Sequence, residues 1–199
     1  MRKINEIFAS IQGEGCHTGV PSIFIRFSGC NLKCSFCDTR HNDGEWLSDE
    51  EIVDRVKSLK ASQIVLTGGE PGLFIDAGFI RLLKRETGLK IAIETNGTKP
   101  LPEEIDWITV SPKEGMSIVG NTSLKVKRAD ELKVVYVGQD LEPYFRLGCV
   151  DSSTAMLLQP CFVEDPEQCR RNIEITISKV LEDPRWRLSL QTHKLVGVR

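Results

Sequence analysis

The chain has no run of eighteen or more apolar residues, the length a membrane helix needs, and its opening stretch MRKINEIFASIQ lacks the apolar core of a signal peptide. Neither a bilayer span nor secretion is expected. One-sided charge is missing too: 26 Lys and Arg against 28 Asp and Glu leave a formal net charge of −2, with the signs interleaved. That balance argues against direct nucleic-acid binding, and the one basic tract, KVKRADELK (125–133), reads as a solvated face. Repeats, low-complexity segments and linker-like shifts are absent, so the 199 residues are expected to form a single domain, 1–199, around one core. The seven cysteines are odd in number and three crowd into eight positions, which favours a reducing, cytoplasmic setting over a disulfide framework.

What is present is alternation. SIFIRF (22–27), QIVLT (63–67), KIAIET (90–95), WITVS (107–111), LKVVYV (132–137), AMLLQ (155–159) and WRLSLQ (186–191) are apolar, mostly β-branched and too short for helices, so they read as strands. After the first of them, LSDEEIVDRVKSL predicts a helix, with Ser48 and Glu51 as a capping box and Ile52, Val53, Val56 and Leu59 on one face. A second helix, DPEQCRRNIEITISKVLEDP, starts at Asp165 as N-cap with Pro166 in the first turn. It sets Cys169, Ile173, Ile177, Val180 and Leu181 on one side and stops before Pro184. Such alternation builds a mostly parallel sheet covered by helices.

The polar signatures SGC, TGGEP, ETNG, SPK, QP and QTHK all fall where predicted strands end. In α/β sheets and barrels that edge gathers the loops that form the active site. The expected fold is therefore an α/β, incomplete TIM-like barrel of about six or seven mostly parallel strands with outer helices, open on one side.

Chemistry concentrates in GCNLKCSFCDT (29–39), where Cys30, Cys34 and Cys37 form a C-x3-C-x2-C run. Structural zinc takes four ligands, and His41 could complete a Cys3His set. A 4Fe–4S cluster held by three thiolates instead leaves one iron free for a small molecule, a position that electron-transfer ferredoxins close with a fourth cysteine. Zinc modules are usually small and self-contained, whereas these cysteines follow a core strand and face other polar loops, which favours the open cluster. Cys16, Cys149, Cys161 and Cys169 are scattered without ligand-like spacing, and one cluster is expected.

With Phe36 before the last cysteine and GGEP at 68–71, the chain resembles the radical S-adenosylmethionine superfamily. The resemblance implies a cluster on Cys30, Cys34 and Cys37 and S-adenosylmethionine bound among Phe36, Asp38, Gly69, Glu70, Ser111, Pro112, Lys113 and Gln159. Glycines at 68 and 69 would let backbone approach the methionine ammonium, with Glu70 as a charge behind it; Ser111 and Lys113 would meet the ribose or carboxylate.

Over most of its length the chain also resembles one family, the 7-carboxy-7-deazaguanine synthases: NEIFASIQGEG (5–15), TGVPSIFIRFSGCNLKCSFCDT (18–39), TGGEP, ETNGT (94–98), VSPK, LQP and RLSLQTHK (187–194). This resemblance implies conversion of 6-carboxy-5,6,7,8-tetrahydropterin to 7-carboxy-7-deazaguanine with loss of ammonia, Mg²⁺ as a further cofactor, and a place in the queuosine (7-deazapurine) route. It also implies a flavodoxin- or ferredoxin-type electron donor. A homodimer would cover the barrel's open edge. Ile11, Gln12 and Gly13 would read the pterin edge by backbone, Glu14 would accept from its 2-amino group, and Arg26 would pair with its carboxylate. Thr67, Glu94 and His193 would complete the substrate site, the α-carboxylate of Arg199 would close over it, and Thr39 would offer Mg²⁺ an oxygen. A glycyl-radical activase or a non-catalytic zinc or iron–sulfur module are the rival readings; the IQGEG loop and the QTHK end argue against the activase.

The three-thiolate reading makes one sharp expectation. Cys30→Ala, Cys34→Ala and Cys37→Ala each lose iron and labile sulfide in anaerobically purified protein, while His41→Ala retains both; the opposite pattern would return the loop to zinc.

Overall fold

The structure is a computed structural model that describes residues 1–37 and 43–198. Its strands are β1 (Arg2–Ile11), β2 (Pro21–Phe27), β3 (Glu45–Leu47), β4 (Gln63–Gly68), β5 (Lys90–Thr95), β6 (Trp107–Val110), β7 (Glu131–Tyr136), β8 (Ala155–Pro160) and β9 (Arg187–Leu188). The α-helices among the described residues are α1 (Asp49–Lys57), α2 (Ala77–Thr87), α3 (Pro166–Glu182) and α4 (Thr192–Val196). One sheet runs in the order β3-β1-β2-β4-β5-β6-β7-β8-β9. From β2 through β4 to β9 every pairing is parallel, and β1 and β3 are added antiparallel on one side. The sheet stays open, a partial barrel with a short strand at each edge, as the alternating pattern predicts.

Strand alternation divides the molecule into two faces. Ile23, Ile25 and Phe27 of β2, Ile64 and Leu66 of β4 and Ile91 and Ile93 of β5 are buried in one cluster with Ile52, Val53 and Val56 of α1 and Phe79, Ile80 and Leu83 of α2. Each such side chain contributes about 1.5–3 kcal/mol when fully buried. The other face carries Phe24, Val65 and Ala92 as a small apolar floor. On the same alternation it carries Arg26, Thr67, Glu94, Lys133 and Gln159 at or near the strands' C-terminal ends. A core of helices on one side and polar groups on the other is what turns the barrel interior into a site.

Helix α1 forms as its sequence dictates: Ser48 Oγ accepts from the Glu51 amide at 3.2 Å and Glu51 Oε2 accepts from the Ser48 amide at 2.7 Å. Asp165 caps α3 with a single bond, its Oδ1 accepting from the Glu167 amide at 2.9 Å. The side of α3 turned inward differs from the apolar stripe, however. Asn172 and Thr176 are buried, with the Asn172 amide donating to the Cys161 carbonyl at 2.7 Å, while Ile177 and Leu181 are exposed. A hydrogen-bonding demand from the β8–α3 turn overrides the hydrophobic pattern there. The last strand is shorter than WRLSLQ suggests, because it has a single neighbour and only Arg187 and Leu188 pair with β8.

Two elements escape the sequence pattern. The segment 77–87 carries helix signals, Asp76 as N-cap accepting from the Phe79 amide, Gly88 at φ +69° as C-cap, and an apolar stripe of Phe79, Ile80 and Leu83 turned to the core. β1 is the other, and its register against β2 sets Glu6 opposite Arg26. Ile11 thus ends a strand rather than lying in a loop.

Arg2 shows what anchors β1. The residue is 8% exposed, and its guanidinium donates to both Asp49 oxygens at 2.8 and 3.0 Å, to Asp76 at 3.0 Å and to the Phe74 carbonyl, and lies 4.0 Å from the Phe79 ring centroid. One side chain therefore joins the N-terminus to α1 and to the start of α2. Arg2→Ala is expected to lower stability by about 1–2 kcal/mol, through lost packing of a buried side chain and the loss of its hydrogen bonds to partly solvated partners, read as a lower urea midpoint at unchanged slope. A shift below half a kcal/mol would show that α1 and α2 hold the strand without it.

Candidate active site

A cavity of about 610 Å³ opens over the C-terminal ends of the parallel strands. That is within the size range of small-molecule sites. Cys30, Cys34 and Cys37 line one side, with Phe36 beside them. Gly69, Ser111, Lys113 and Gln159 line it as well, and so do Ile11, Gln12, Gly13, Glu14, Arg26, Thr67, Glu94 and His193. Residues more than 180 positions apart thus share one wall, because every strand-end loop turns to the same rim. Asp38, Thr39 and His41 lie outside the described residues, as does Arg199.

The glycine pair is explained by close approach. At Gly68, φ is +115°, and a Cβ would come within 2.3 Å of the Phe27 carbonyl oxygen; at Gly69 a Cβ would lie 2.0 Å from the Gly29 carbonyl oxygen. The amides of Gly69 and Glu70 donate to the Phe27 and Gly29 carbonyls at 3.0 and 2.9 Å. The turn after β4 is thereby stitched to the root of the cysteine loop. Glu70 itself faces away from the cavity: fully buried, it accepts from Thr95 Oγ1 and the Asn96 amide at 2.7 Å and from the Gly72 amide at 2.8 Å. It shapes the ETNG turn from behind the glycine pair. Burial raises its pKa, against three hydrogen bonds that favour the ion. Pro112 is likewise buried and off the cavity wall.

Asn96, held in place by Glu70, donates to Asn31 Oδ1 at 3.2 Å and reaches Cys30 Sγ at 4.0 Å, while the Leu32 amide donates to the same sulfur at 3.4 Å. All seven cysteines are free thiols. Among the described residues no three His, Cys, Asp or Glu side chains converge as ligands of a single ion. A multi-iron cluster does not ask for that, since each thiolate binds a different iron. Three thiols on one cavity wall, with N–H donors turned to a sulfur, fit such a cluster. Beside them Lys113 Nζ is buried, donates to Ser111 Oγ and sits 5.7 Å from the Phe36 ring centroid. Burial pulls its pKa down, with the Cys34 sulfur opposing.

The opposite wall is a buried ion cluster. Lys133 Nζ donates to Glu14 Oε2 and, at 2.8 Å, to Glu94 Oε2; Gln12 Nε2 donates to Glu94 Oε1 at 3.1 Å, and Gln191 Nε2 to Glu14 Oε1 at 2.7 Å. Burial pushes Glu94 up to about 7, helped by the neighbouring Glu14 and Glu131 carboxylates, although Lys133 opposes it. Burial would raise Glu14 too, but Lys133 and the Gln191 hydrogen bond outweigh it and hold Glu14 at about 2. Two carboxylates a few ångströms apart are thus set to different proton affinities. The C-terminal segment docks on the same loop. Thr192 donates to the Gly13 carbonyl through its amide at 2.8 Å and its hydroxyl at 2.9 Å, and the His193 ring fills the space a Gly13 Cβ would need. His193 therefore sits in α4, not on a strand. Arg26 pairs with Glu6 at 2.7 Å on the cavity wall.

Lys133, Glu131 and Asn96 are the residues the sequence pattern missed. Lys133 closes the tract taken for solvated surface, yet it is 4% exposed. The available signal was alternation: Leu132 and Val134 point to the core, so Glu131 and Lys133 must point the other way, into the barrel.

A three-cysteine loop at the first parallel strand and a Gly-Gly turn packed on its root, on the rim of an open α/β barrel, define the radical S-adenosylmethionine class. In agreement, the sequence model of the Radical SAM superfamily matches residues 24–113. Membership implies a 4Fe–4S cluster and S-adenosylmethionine. A protein of Bacteroides thetaiotaomicron named 7-carboxy-7-deazaguanine synthase is 52% identical over 199 residues, 100% of both chains. One of the same name from Haemophilus influenzae is 35% identical, covering 98% of this chain and 93% of its own. The crystal structure of QueE from Escherichia coli superposes with a TM-score of 0.72 at 30% identity, covering 95% of this chain and 93% of that one. The chain belongs to the 7-carboxy-7-deazaguanine synthase family. No helix of the described residues is long and apolar enough to cross a membrane.

The ion cluster yields a test in stability. In the parent, Glu14 lies below its ordinary value, so its contribution is present above about pH 4.5 and is lost as pH falls toward 2. Lys133→Met leaves two buried carboxylates without a cation, raising both; their penalty is absent below about pH 4.5 and grows as pH rises. The variant is expected to lose about 3–5 kcal/mol at pH 8 and less at pH 5, where the parent's Glu14 contribution is still forfeited but the penalty of two unpaired carboxylates is small, by urea midpoints at the two pH values. An equal loss at both would mean the lysine acts by packing alone.

Proposed function

We propose that this chain converts 6-carboxy-5,6,7,8-tetrahydropterin to 7-carboxy-7-deazaguanine with loss of ammonia, and that the residues on the cavity wall divide the work. The observation that carries this reading is that one cavity joins the cysteine loop to the Glu14–Lys133–Glu94 cluster. When bound, the cluster supplies the electron that cleaves S-adenosylmethionine to a 5′-deoxyadenosyl radical able to abstract hydrogen. The chain's own groups bind, aim and shield. Lys113 and Ser111 orient the carboxylate and ribose of S-adenosylmethionine, and the glycines at 68 and 69 leave it room.

On the far wall, Glu14 stays ionised and accepts from the pterin's amino group, while the raised Glu94 can hold or release a proton near neutrality. Arg26 exchanges Glu6 for the substrate carboxylate, and His193, fixed over Gly13, donates from above the IQGEG turn. The barrel interior excludes water from radical intermediates. The reading includes Mg²⁺ among the substrate oxygens, a metal that takes few protein ligands. It also includes a second copy of the chain covering the open β9 edge, where Leu188 and, on α3, Ile177 and Leu181 are exposed.

Anaerobic incubation with carboxytetrahydropterin, S-adenosylmethionine, Mg²⁺ and dithionite is expected to release the deazaguanine, followed by liquid chromatography. Glu14→Gln should raise the substrate KM about tenfold or more, the loss of one charge-assisted hydrogen bond, and leave cluster absorbance and S-adenosylmethionine affinity near the parent's. Parent protein carrying a full cluster and yielding no product would sink the assignment.

A further inference from the structure

Outside the cavity, the least ordinary element is the connection from β6 to β7. Parallel neighbours are usually joined through a helix, yet residues 111–130 contain none. Connections this long without secondary structure are uncommon and often functional. This one is laid along the cysteine loop. Cys34 and Ser117 form an antiparallel bridge, the Lys33 amide donates to Ser117 Oγ and the Ile118 amide to the Lys33 carbonyl, both at 3.0 Å. Gly120 passes so close to Asn31 that a Cβ would lie 2.3 Å from its carbonyl oxygen. Farther on, the Lys125 and Val126 amides donate to the Gly97 carbonyl at 2.7 and 3.2 Å, next to Asn96. The connection thus covers both segments that touch Cys30.

What it turns outward is apolar and basic. Ile118 and Val119 are 73% and 59% exposed. Over 124–127, Leu124 and Val126 pack on Gly97 while Lys125 and Lys127 are exposed, and Lys33 is exposed on the adjoining strip. None of these three lysines pairs with an acidic group among the described residues, and Glu114 is the exposed acid of the connection's first turn. On a chain of net charge −2, an apolar tip flanked by exposed lysines is a local reversal. Apolar centre and charged rim are the anatomy of a transient interface, and complementary charge sets its on-rate.

We propose that this connection docks a small acidic electron-carrier protein, which reduces the cluster through the cysteine loop beneath it. The proposal rests on the radical-enzyme reading above. In the step, the reduced carrier loses one electron and the cluster gains it, passing from the 2+ to the 1+ state; no bond or proton is exchanged between the proteins.

The test compares two reductants on the cluster-loaded enzyme: dithionite, and an acidic flavodoxin or ferredoxin kept reduced by its NADPH-dependent reductase. Paired substitutions Ile118→Asp with Val119→Asp, and Lys125→Glu with Lys127→Glu, are expected to cut carrier-driven turnover about tenfold and raise the carrier's KM, with dithionite-driven turnover within about twofold of the parent. Added salt should slow carrier-driven turnover in the parent and do so less in the lysine variant. Equal losses with both reductants, or none with either, would overturn the proposal, as would a changed oligomeric state in the apolar variant, which would assign the surface to a second copy. Loaded parent enzyme inactive with both reductants would overturn the enzymatic reading and this surface with it.

Discussion

A single buried ammonium organises the interior of this barrel. Lys133 reaches from β7 to Glu94 at the end of β5 and to Glu14 in the loop after β1. A buried charge cluster is weak evidence for net stability, because desolvation offsets the attraction, but it is exacting about geometry. The exactness matters because the sheet is open and, among the described residues, no further strand locks its rim. Through Glu14 the cluster also fixes Gln191, next to which the Thr192 amide donates to the Gly13 carbonyl. The N-terminal loop, the middle of the sheet and the C-terminal segment are thus tied at one point inside the site.

The cysteine side is organised differently, by backbone. Glycines admit the β4 turn against the root of the cysteine loop, and Glu70, which has no role on the cavity wall, fixes the Asn96 turn against the same loop. Carbonyl and amide pairs do not titrate, so the stitch between the β4 turn and the root of the cysteine loop is independent of pH, whereas the opposite wall changes protonation near neutrality. The division suits a site that must hold a redox group rigidly while exchanging protons with a substrate.

Much of this was legible in the sequence. Short β-branched runs with polar signatures at their ends sufficed for the parallel strands, and the cysteine spacing sufficed for the loop. What stayed hidden depended on partners that sequence does not show. Arg2 and β1 matter through groups some 47 and 74 positions away, and Asn172 faces inward only because Cys161 offers it a carbonyl. Lys133 was hidden for the opposite reason: Lys125, Lys127 and Arg128 earlier in the same tract are exposed, and alternation along β7 alone sets Glu131 and Lys133 apart from them. Glu70 sits in a motif that suggests a ligand contact, yet its bonds are all internal.

The stitch between Gly69, Glu70 and the cysteine loop bears on how the protein is made. Its two hydrogen bonds, to Phe27 and Gly29, involve only main chain. The loop's root is therefore shaped by strand pairing, in the same event that forms the β2–β4 ladder. A small zinc module cannot fold before its metal arrives; here the root of the loop is held by main-chain bonds that need no iron or sulfide. Oxidative loss of the cluster would then leave a folded chain ready to be reloaded, so damage to the cofactor need not cost the cell the polypeptide.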